Sequence, residues 1–256
     1  ALIFDTFRVL IAATLYYFHF GLIYYVTAIL IRQVFQTLYY DFHTRRMISI
    51  HLGYNIKSLL TKRLIINAEE KSFFYFNFFS TQLRSLSLHF DKVLINILFK
   101  STSVVGLFAI AKQISQLSEL AFSNLSTAII PQMASDFFSD KKNLKKNIFI
   151  QTGLIMVIGF PIIGSMLLFT DNFIVLWMGA EYLSAVPIVR ILLIGVLIRI
   201  TFYVINQLPG SIGNAKVKFL GGFFGLICWL SIILLSYKEF GVLSFAYGMV
   251  GGTIGS

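Results

Sequence analysis

Four charged residues interrupt long apolar stretches of the sequence as two pairs, and the members of each pair are seven positions apart. Arg84 precedes Asp91, and Lys112 precedes Glu119, by this same interval. Seven residues are close to two helical turns, so on a helix each pair shares one face. A charge inside a membrane helix is costly and usually faces a partner or a water-filled cavity. The spacing therefore indicates either ion pairs that help the helices assemble or a polar site inside a helical bundle.

A polar stripe accompanies the second pair. Counted from Lys112, polar residues recur at offsets of 3, 4, 7, 11 and 14, which follow one side of a helix, and these residues are Ser115, Gln116, Glu119, Ser123 and Ser126. The opposite side carries Leu107, Ile110, Ile114, Leu117 and Ala121. A stripe of this length in a membrane helix predicts water or a polar ligand along it.

Two arginines lie nine residues apart in a later apolar stretch. On a straight helix with about 3.6 residues per turn, Arg190 and Arg199 point in nearly opposite directions. Arg190 follows Pro187 by three residues, near the predicted outer boundary, where a long side chain can reach the interface. Arg199 is near the middle of the stretch and shares a face with Tyr203 and Asn206, so it is the better candidate for an internal site.

Cations outnumber acidic residues in these stretches, which suits an anionic substrate such as a phosphate or diphosphate. We predict that six residues bind substrate: Arg84, Lys92, Lys112, Gln116, Arg199 and Asn206. An acidic residue that exchanges a proton or binds Na⁺ offers a coupling site, and Glu119 is the first choice with Asp91 second. The sequence has no HExxH, CxxC, GxSxG or GxxxxGKS/T pattern, so we predict no catalytic residue, metal site or cofactor.

The composition predicts the elements that position these residues. The chain is 57% hydrophobic and 12% charged, with a mean hydropathy of +0.80, whereas soluble domains carry about 25% charged residues. This excludes a soluble enzyme and a disordered tail, and the single cysteine excludes a disulfide scaffold. About 20 apolar residues cross a bilayer, and seven stretches are candidates: 7–31, 73–99, 104–130, 148–169, 185–208, 219–237 and 242–256. The prediction is an all-α polytopic membrane protein.

The distribution of Lys and Arg predicts the orientation. The linkers 32–72, 132–147 and 209–218 carry thirteen Lys and Arg, whereas the three alternate linkers carry two. Under the positive-inside rule the basic linkers are cytoplasmic, which explains the net charge of +10 without a nucleic-acid partner. Residues 47–65 mix apolar and basic side chains, as an interfacial helix on anionic lipid does. The alternative is an ordinary connection that obeys the same charge rule.

Several short motifs resemble one family. Phe90–Ile95 and Ser103–Lys112 resemble the "DK or DR, then hydrophobic" and "VGxYxxA or VGxFxxA" signatures of polysaccharide flippases, the Wzx-type translocases of O-antigen and capsule repeat units. Ile129–Met133 is similar to the family's proline break, Ile188–Leu192 to the opening of a later span, and Gly210–Lys216 to a small-residue turn. The resemblance covers about residues 73 to 240.

The resemblance implies membership of the multidrug/oligosaccharidyl-lipid/polysaccharide exporter superfamily, whose proteins have 12 to 14 helices in two bundles around a central cavity. Residues 1–31 would then be the last helix of the amino-terminal bundle, 32–72 the cytoplasmic connection, and 73–256 a truncated carboxy-terminal bundle. The short last stretch, and a start at Ala1 without a signal pattern, agree with a piece of a longer protein.

The implied activity is movement of undecaprenyl-diphosphate-linked oligosaccharide from the cytoplasmic to the outer leaflet of the bacterial inner membrane. The implied mechanism is alternating access coupled to H⁺ or Na⁺. Expected partners are the lipid-linked oligosaccharide, anionic membrane lipids, and the polysaccharide polymerase with its chain-length machinery.

Three rival functions remain open. A multidrug antiporter of the same superfamily would need an acidic, aromatic cavity for cationic drugs, and the excess of cations argues against it. A membrane-embedded glycan polymerase or ligase usually carries a large outward loop, whereas the outward linkers here have at most about 15 residues. A purely structural or anchoring subunit is the third.

Overall fold

The computed structural model describes residues 22–52 and 67–255, together with Thr14 and Tyr17. Contacts divide the chain into two units, residues 1–66 and 67–256. In the first unit, helix α1 spans Leu22–Leu52 and continues without a break past residue 31, where the first apolar stretch ends in the sequence. Residues 7–21 of that stretch, apart from Thr14 and Tyr17, and residues 53–65 of the predicted interfacial segment lie outside the described residues.

The described part of the second unit contains eight α-helices and one 3₁₀ helix. In chain order they are α2 (Ala68–Phe99), α3 (Thr102–Ala128), α4 (Ile130–Ser139), α5 (Lys141–Leu168), α6 (Thr170–Met178), the 3₁₀ helix (Ala180–Ala185), α7 (Val186–Ser211), α8 (Ala215–Phe240) and α9 (Leu243–Gly255). Each of the six apolar stretches predicted after residue 72 coincides with one long helix or, for the last, with α9. The all-α prediction is confirmed.

Local sequence signals fix several helix boundaries. Ser101, Asp140 and Asn214 each accept a hydrogen bond from a backbone N–H two or three residues later, at 3.4, 2.8 and 3.3 Å. Such side chains satisfy N–H groups that have no partner within the first turn of a helix. After α7 and α8, the chain turns at Gly213 and Gly241, whose φ angles of 76° and 56° suit glycine.

Two of the predicted linkers are themselves largely helical. Helix α4 and the first turns of α5 occupy most of residues 132–147, and α6 with the 3₁₀ helix occupies residues 170–184. The apolar stretch 104–130 was predicted to end directly before Pro131, but α3 already ends at Ala128 and Pro131 lies in the first turn of α4. A proline is tolerated there because its missing N–H would have no helical partner.

Helix α7 is the most buried helix of the second unit. It packs against α3, α5 and α9, and its buried side contains Val186, Ile188, Val189, Leu192, Leu193, Gly195, Val196, Ile200 and Val204. Ile114 and Phe122 from α3 and Ile163 from α5 belong to the same apolar core. A polar side chain on the buried side of α7 therefore faces other helices rather than lipid.

The outer surface of the second unit is strongly apolar. Leu235 and Phe149 are each more than 80% exposed, which a soluble protein would not tolerate over so many side chains. Three segments of the described chain are long and apolar enough to cross a membrane: Lys141–Leu168, Ala180–Ser211 and Ala215–Phe240. The chain is therefore a multi-pass membrane protein. Helices α2 and α3 are also long, but charged residues interrupt their apolar sequence.

Glycines let α8 and α9 approach closely. A Cβ added at Gly252 would lie 3.0 Å from the Gly225 carbonyl oxygen, and one at Gly248 would lie 3.0 Å from the Trp229 carbonyl oxygen. Small residues permit this backbone contact between membrane helices. This packing accounts for glycine at positions 248 and 252.

Candidate functional site

A buried ion pair joins α2 to α3. The Lys112 Nζ lies 2.6 Å from the Asp91 Oδ2, and the two side chains are 6% and 0% exposed. Lys112 also donates a hydrogen bond of 2.7 Å to the Leu88 carbonyl oxygen. The Asp91 Oδ1 in turn accepts from the Lys92 backbone N–H at 2.9 Å. Both charges are thus compensated by partners inside the bundle, as buried charges require.

A second, more accessible cluster joins α3 to α7. The Arg199 Nη1 lies 2.5 Å from the Glu119 Oε2, with 34% and 20% of the two side chains exposed. The Tyr203 hydroxyl donates to the other carboxylate oxygen, Glu119 Oε1. Arg199 and Tyr203 are four residues apart, one turn along α7, so both reach the same carboxylate. Unlike the Asp91–Lys112 pair, this cluster remains open to solvent or a ligand.

The two acidic residues pair with cations on neighbouring helices. The sequence had placed Arg84 with Asp91, and Lys112 with Glu119, as residues sharing a face. In the structure Asp91 instead contacts Lys112, and Glu119 contacts Arg199. The physical reason is that residues seven apart on one helix lie about 10 Å apart along its axis. A neighbouring helix can bring a cation much closer.

Arg84 is the cation that this pairing leaves available. It is exposed and, within the described residues, forms no ion pair or hydrogen bond, yet it is near enough for its charge to act on the Tyr203 hydroxyl. The charge of Arg199 likewise acts on Lys112. The charge of the exposed Lys92 also acts on Lys112. The excess positive charge around the two ion pairs therefore comes from Arg84 and Lys92, of which Arg84 acts on the accessible cluster.

The remaining predicted site residues lie on the surface of the second unit. Lys92, Gln116 and Asn206 are all exposed, and no hydrogen bond joins their side chains to the Glu119 cluster in the described part of the chain. Asn206 does lie on the same helix as Arg199, about two turns along. The structure thus brings together five of the predicted residues and leaves these three at the periphery.

Tyr203 is the member of the cluster that the list of predicted site residues lacks. The sequence placed it on the same face as Arg199, but a tyrosine in a membrane helix usually packs or lies at an interface. The i, i+4 spacing from an intramembrane arginine was the available signal. The structure adds the decisive contact, the hydrogen bond to Glu119.

The polar stripe of α3 divides between a packed edge and an open edge. Ser115 and Ser126 are buried, whereas Gln116 is exposed and Glu119 is partly exposed. Water or ligand can therefore reach only part of the stripe. The buried serines donate hydrogen bonds to carbonyl oxygens three residues earlier in their own helix.

Arg190 lies apart from this cluster. Its Nη2 is 2.9 Å from the Asp171 Oδ2 of α6, and the two side chains are about half exposed. Arg190 belongs to the first turn of α7, whereas Arg199 belongs to its middle. The two arginines therefore lie in different environments: Arg190 forms an exposed ion pair near a helix end, and Arg199 belongs to an internal cluster.

A bundle of apolar helices that encloses paired charges is typical of a multi-pass membrane transporter. Residues 6–187 match the sequence profile of the family described as "polysaccharide biosynthesis protein". The chain belongs to this family, which confirms the resemblance found in the sequence. Among curated proteins, none matches the chain significantly.

The fold is similar to that of a solved transporter structure. That structure is described as the outward-facing conformation of a multidrug resistance MATE family transporter of the MOP superfamily. The TM-score is 0.55 at 21% identity, and the alignment covers 75% of this chain. The chain spans only 44% of the length of that transporter. The likeness establishes that this chain shares the helical fold of that transporter, and it does not identify a substrate.

Proposed function

We propose that this chain is part of a flippase that moves undecaprenyl-diphosphate-linked oligosaccharide repeat units from the cytoplasmic to the outer leaflet of the bacterial inner membrane. Membership of the polysaccharide biosynthesis family and the exporter-type fold support a transporter that handles such a substrate. On this proposal, linkers 32–72, 132–147 and 209–218 face the cytoplasm. Residues 1–31 end an amino-terminal bundle, and residues 73–256 belong to the carboxy-terminal one.

The observation that carries the proposal is the exposed Arg84 beside the Glu119–Arg199–Tyr203 cluster. An unpaired cation in a membrane helix is costly unless it meets water or an anion. A diphosphate offers several oxygen acceptors that form charge-assisted hydrogen bonds with guanidinium groups. Arg84 would provide the first contact, because Lys112 and Arg199 already have carboxylate partners.

Glu119 is the coupling residue in this proposal. Both of its carboxylate oxygens accept hydrogen bonds from α7. If Glu119 takes up a proton or Na⁺, Arg199 loses its anionic partner and becomes free to bind a substrate phosphate. If the ion leaves, the carboxylate competes again for Arg199 and helps to release the substrate. Ion binding and substrate binding then favour each other through one guanidinium group, so the coupling between them is positive.

The buried Asp91–Lys112 pair has a supporting role in this scheme. Its two side chains are almost inaccessible, so a substrate could reach them only after α2 and α3 separate. We therefore assign the pair to the alignment of these two helices. This assignment keeps Glu119 ahead of Asp91 as the coupling site.

A multidrug cation antiporter is the second candidate function, since the similar solved structure is described as a multidrug resistance transporter. The carboxylate of Glu119 next to an aromatic hydroxyl would be the binding feature for a cationic drug. The direct ion pair between Glu119 and Arg199 weighs against it, because that carboxylate is already neutralised.

The experiment that tests the proposal uses the full-length protein in cells that lack their own flippase. Arg84→Gln and Glu119→Gln should each lower surface glycan at least tenfold at normal protein levels. Arg190→Gln is the matched control, since it removes an arginine from an exposed pair outside the cluster. Wild-type glycan levels in both Arg84→Gln and Glu119→Gln cells would contradict the proposal. Drug resistance that depends on Glu119, without an effect on glycan, would favour the antiporter.

A further inference from the structure

A cavity of about 360 Å³ opens at one end of the second unit, away from the Glu119 cluster. It lies between the first turns of α2 and the turn that joins α7 to α8. Its lining includes Ser72, Phe73 and Phe76 from α2, and Asn214 and Lys216 from the turn and the start of α8. The volume is within the range of natural small-molecule sites.

The charge at the cavity comes from Lys216. Its side chain is exposed at the cavity lining and, within the described residues, has no acidic partner. The exposed Lys218 lies two positions further, about 200° around α8, and does not line the cavity. The neighbouring acid Glu70 is exposed and accepts a hydrogen bond from the Asn67 backbone N–H. The cavity itself is therefore lined by one cation and by no acidic residue.

An aromatic strip leads away from this cavity along the seam between α2 and α8. The ring centroids of Phe76 and Phe219 are 5.6 Å apart, and those of Phe79 and Phe219 are 6.5 Å apart. Phe223 stacks on Phe219 at 6.1 Å. Phe79 and Phe223 are 52% and 40% exposed, and Phe76 and Phe219 are partly exposed, so lipid can reach the strip. From Phe219 to Phe223 the strip extends about 6 Å along α8, within the hydrocarbon depth of one leaflet, about 15 Å.

We propose that the cavity and the aromatic strip bind a polyprenyl diphosphate lipid, with its phosphates at Lys216 and its first isoprene units on the strip. A cation at one end of an apolar groove matches an amphiphile with an anionic head and a hydrocarbon tail. This site deepens the proposed function, on which it rests: it would receive the lipid carrier in the cytoplasmic leaflet before the diphosphate reaches Arg84. Because the strip is exposed, the lipid enters sideways from the membrane and keeps its tail in the hydrocarbon.

The test measures binding of farnesyl diphosphate to the full-length protein in phosphatidylcholine nanodiscs by calorimetric titration. Lys216→Gln should weaken binding about tenfold, the loss expected for one charge-assisted hydrogen bond. Lys218→Gln is the matched control and should change it less than twofold. Ser72→Trp, which fills the cavity without removing a charge, should also weaken binding at least fivefold. Farnesol and inorganic diphosphate should each bind at least tenfold more weakly than farnesyl diphosphate, because each lacks half of the recognised molecule.

Several results would overturn the site. Equal losses in Lys216→Gln and Lys218→Gln would mean that only the general positive charge of this surface matters. Displacement of farnesyl diphosphate by an equal concentration of phosphatidylglycerol would show that the cavity is a binding site for ordinary anionic phospholipid instead. Unchanged binding in both Lys216→Gln and Ser72→Trp would place the ligand elsewhere.

Glu119→Gln separates this inference from the proposed function. It should abolish glycan export while farnesyl diphosphate binding at the cavity stays within twofold of wild type. If export depends on Arg84 and Glu119 but binding does not depend on Lys216, the lipid site is wrong and the flippase proposal stands. If binding depends on Lys216 but export depends on neither Arg84 nor Glu119, the flippase mechanism is wrong and the lipid site stands.

Discussion

Removing one partner of the Asp91–Lys112 pair should destabilise the protein more than any other single charge removal in the second unit. The two side chains are 0% and 6% exposed, and their charged atoms are 2.6 Å apart. Loss of one partner leaves the other as an uncompensated charge in an apolar interior, which costs about 3–5 kcal/mol. Asp91→Leu and Lys112→Met should therefore each lower the free energy of unfolding by this amount.

The double variant should recover much of this loss. With Asp91→Leu and Lys112→Met together, no buried charge remains, and replacing a buried ion pair by apolar residues is often close to neutral. The double-mutant cycle should then give a coupling energy close to the sum of the two single losses, about 6–10 kcal/mol. Lys92→Gln, an exposed cation next to Asp91, is the control and should change stability by less than about 0.5 kcal/mol.

The assay is thermal or denaturant unfolding of the purified full-length protein in detergent, followed in parallel with glycan export. Single variants that fold as stably as wild type but fail to export glycan would refute the structural assignment of this pair. They would make Lys112 and Asp91 direct participants in transport, as the sequence alone had suggested. A double variant as unstable as either single variant would equally contradict the argument from buried charge.

Three further predictions concern other contacts of the same unit. Tyr203→Phe removes one of the two hydrogen-bond donors to Glu119, so we expect slower glycan export with a changed dependence on external pH or Na⁺. An export rate identical to wild type under all conditions would contradict the coupling role of Glu119. Arg190→Gln should cost less than about 1 kcal/mol in unfolding experiments, because exposed ion pairs contribute little; a loss above 2 kcal/mol would mean that the pair is structural. Gly252→Ala should lower the free energy of unfolding by about 1–3 kcal/mol, because the added Cβ would lie 3.0 Å from a backbone oxygen. Gly222→Ala is the control: an added Cβ there has nothing within 4 Å, so this variant should be neutral or stabilising. Equal effects of the two variants would contradict close packing of α8 and α9.

The helices could be predicted from the sequence because hydropathy and length reflect the membrane directly. An apolar run of about 20 residues is an unambiguous signal of a membrane-spanning helix. Each such run after residue 72 is a helix in the structure. Helices α4 and α6 escaped notice because they are short and lie in stretches treated as linkers. Their signals were nevertheless present: Pro131 lies at the start of α4 and Asp140 separates α4 from α5, while Asp171 lies in the first turn of α6.

The members of the site could also be predicted, but their partners could not. A charge in an apolar helix is conspicuous in any sequence, which singled out Asp91, Lys112, Glu119 and Arg199. Which cation meets which carboxylate depends on how two helices are rotated and shifted against each other. Side-chain packing across the interface sets that register, and periodicity within one helix carries no information about it.

The structure leaves fewer unpaired cations at the candidate site than the sequence indicated. The sequence indicated a cationic cavity with Lys112 and Arg199 among its free cations. Both are engaged with carboxylates in the structure, which leaves the exposed Arg84 as the cation next to the accessible cluster. The candidate site is therefore smaller, and its dependence on one arginine is sharper, than the sequence implied.

The most direct test of the central claim is transbilayer movement of a fluorescent polyprenyl-diphosphate oligosaccharide in liposomes that contain the full-length protein. Movement is measured as the rise in the fraction of probe accessible to a membrane-impermeant lectin. We predict that wild-type protein and Arg190→Gln move the probe at equal initial rates, and that Arg84→Gln is at least tenfold slower. No movement by correctly folded wild-type protein under an H⁺ or Na⁺ gradient, or equal rates for wild type and Arg84→Gln, would contradict the claim.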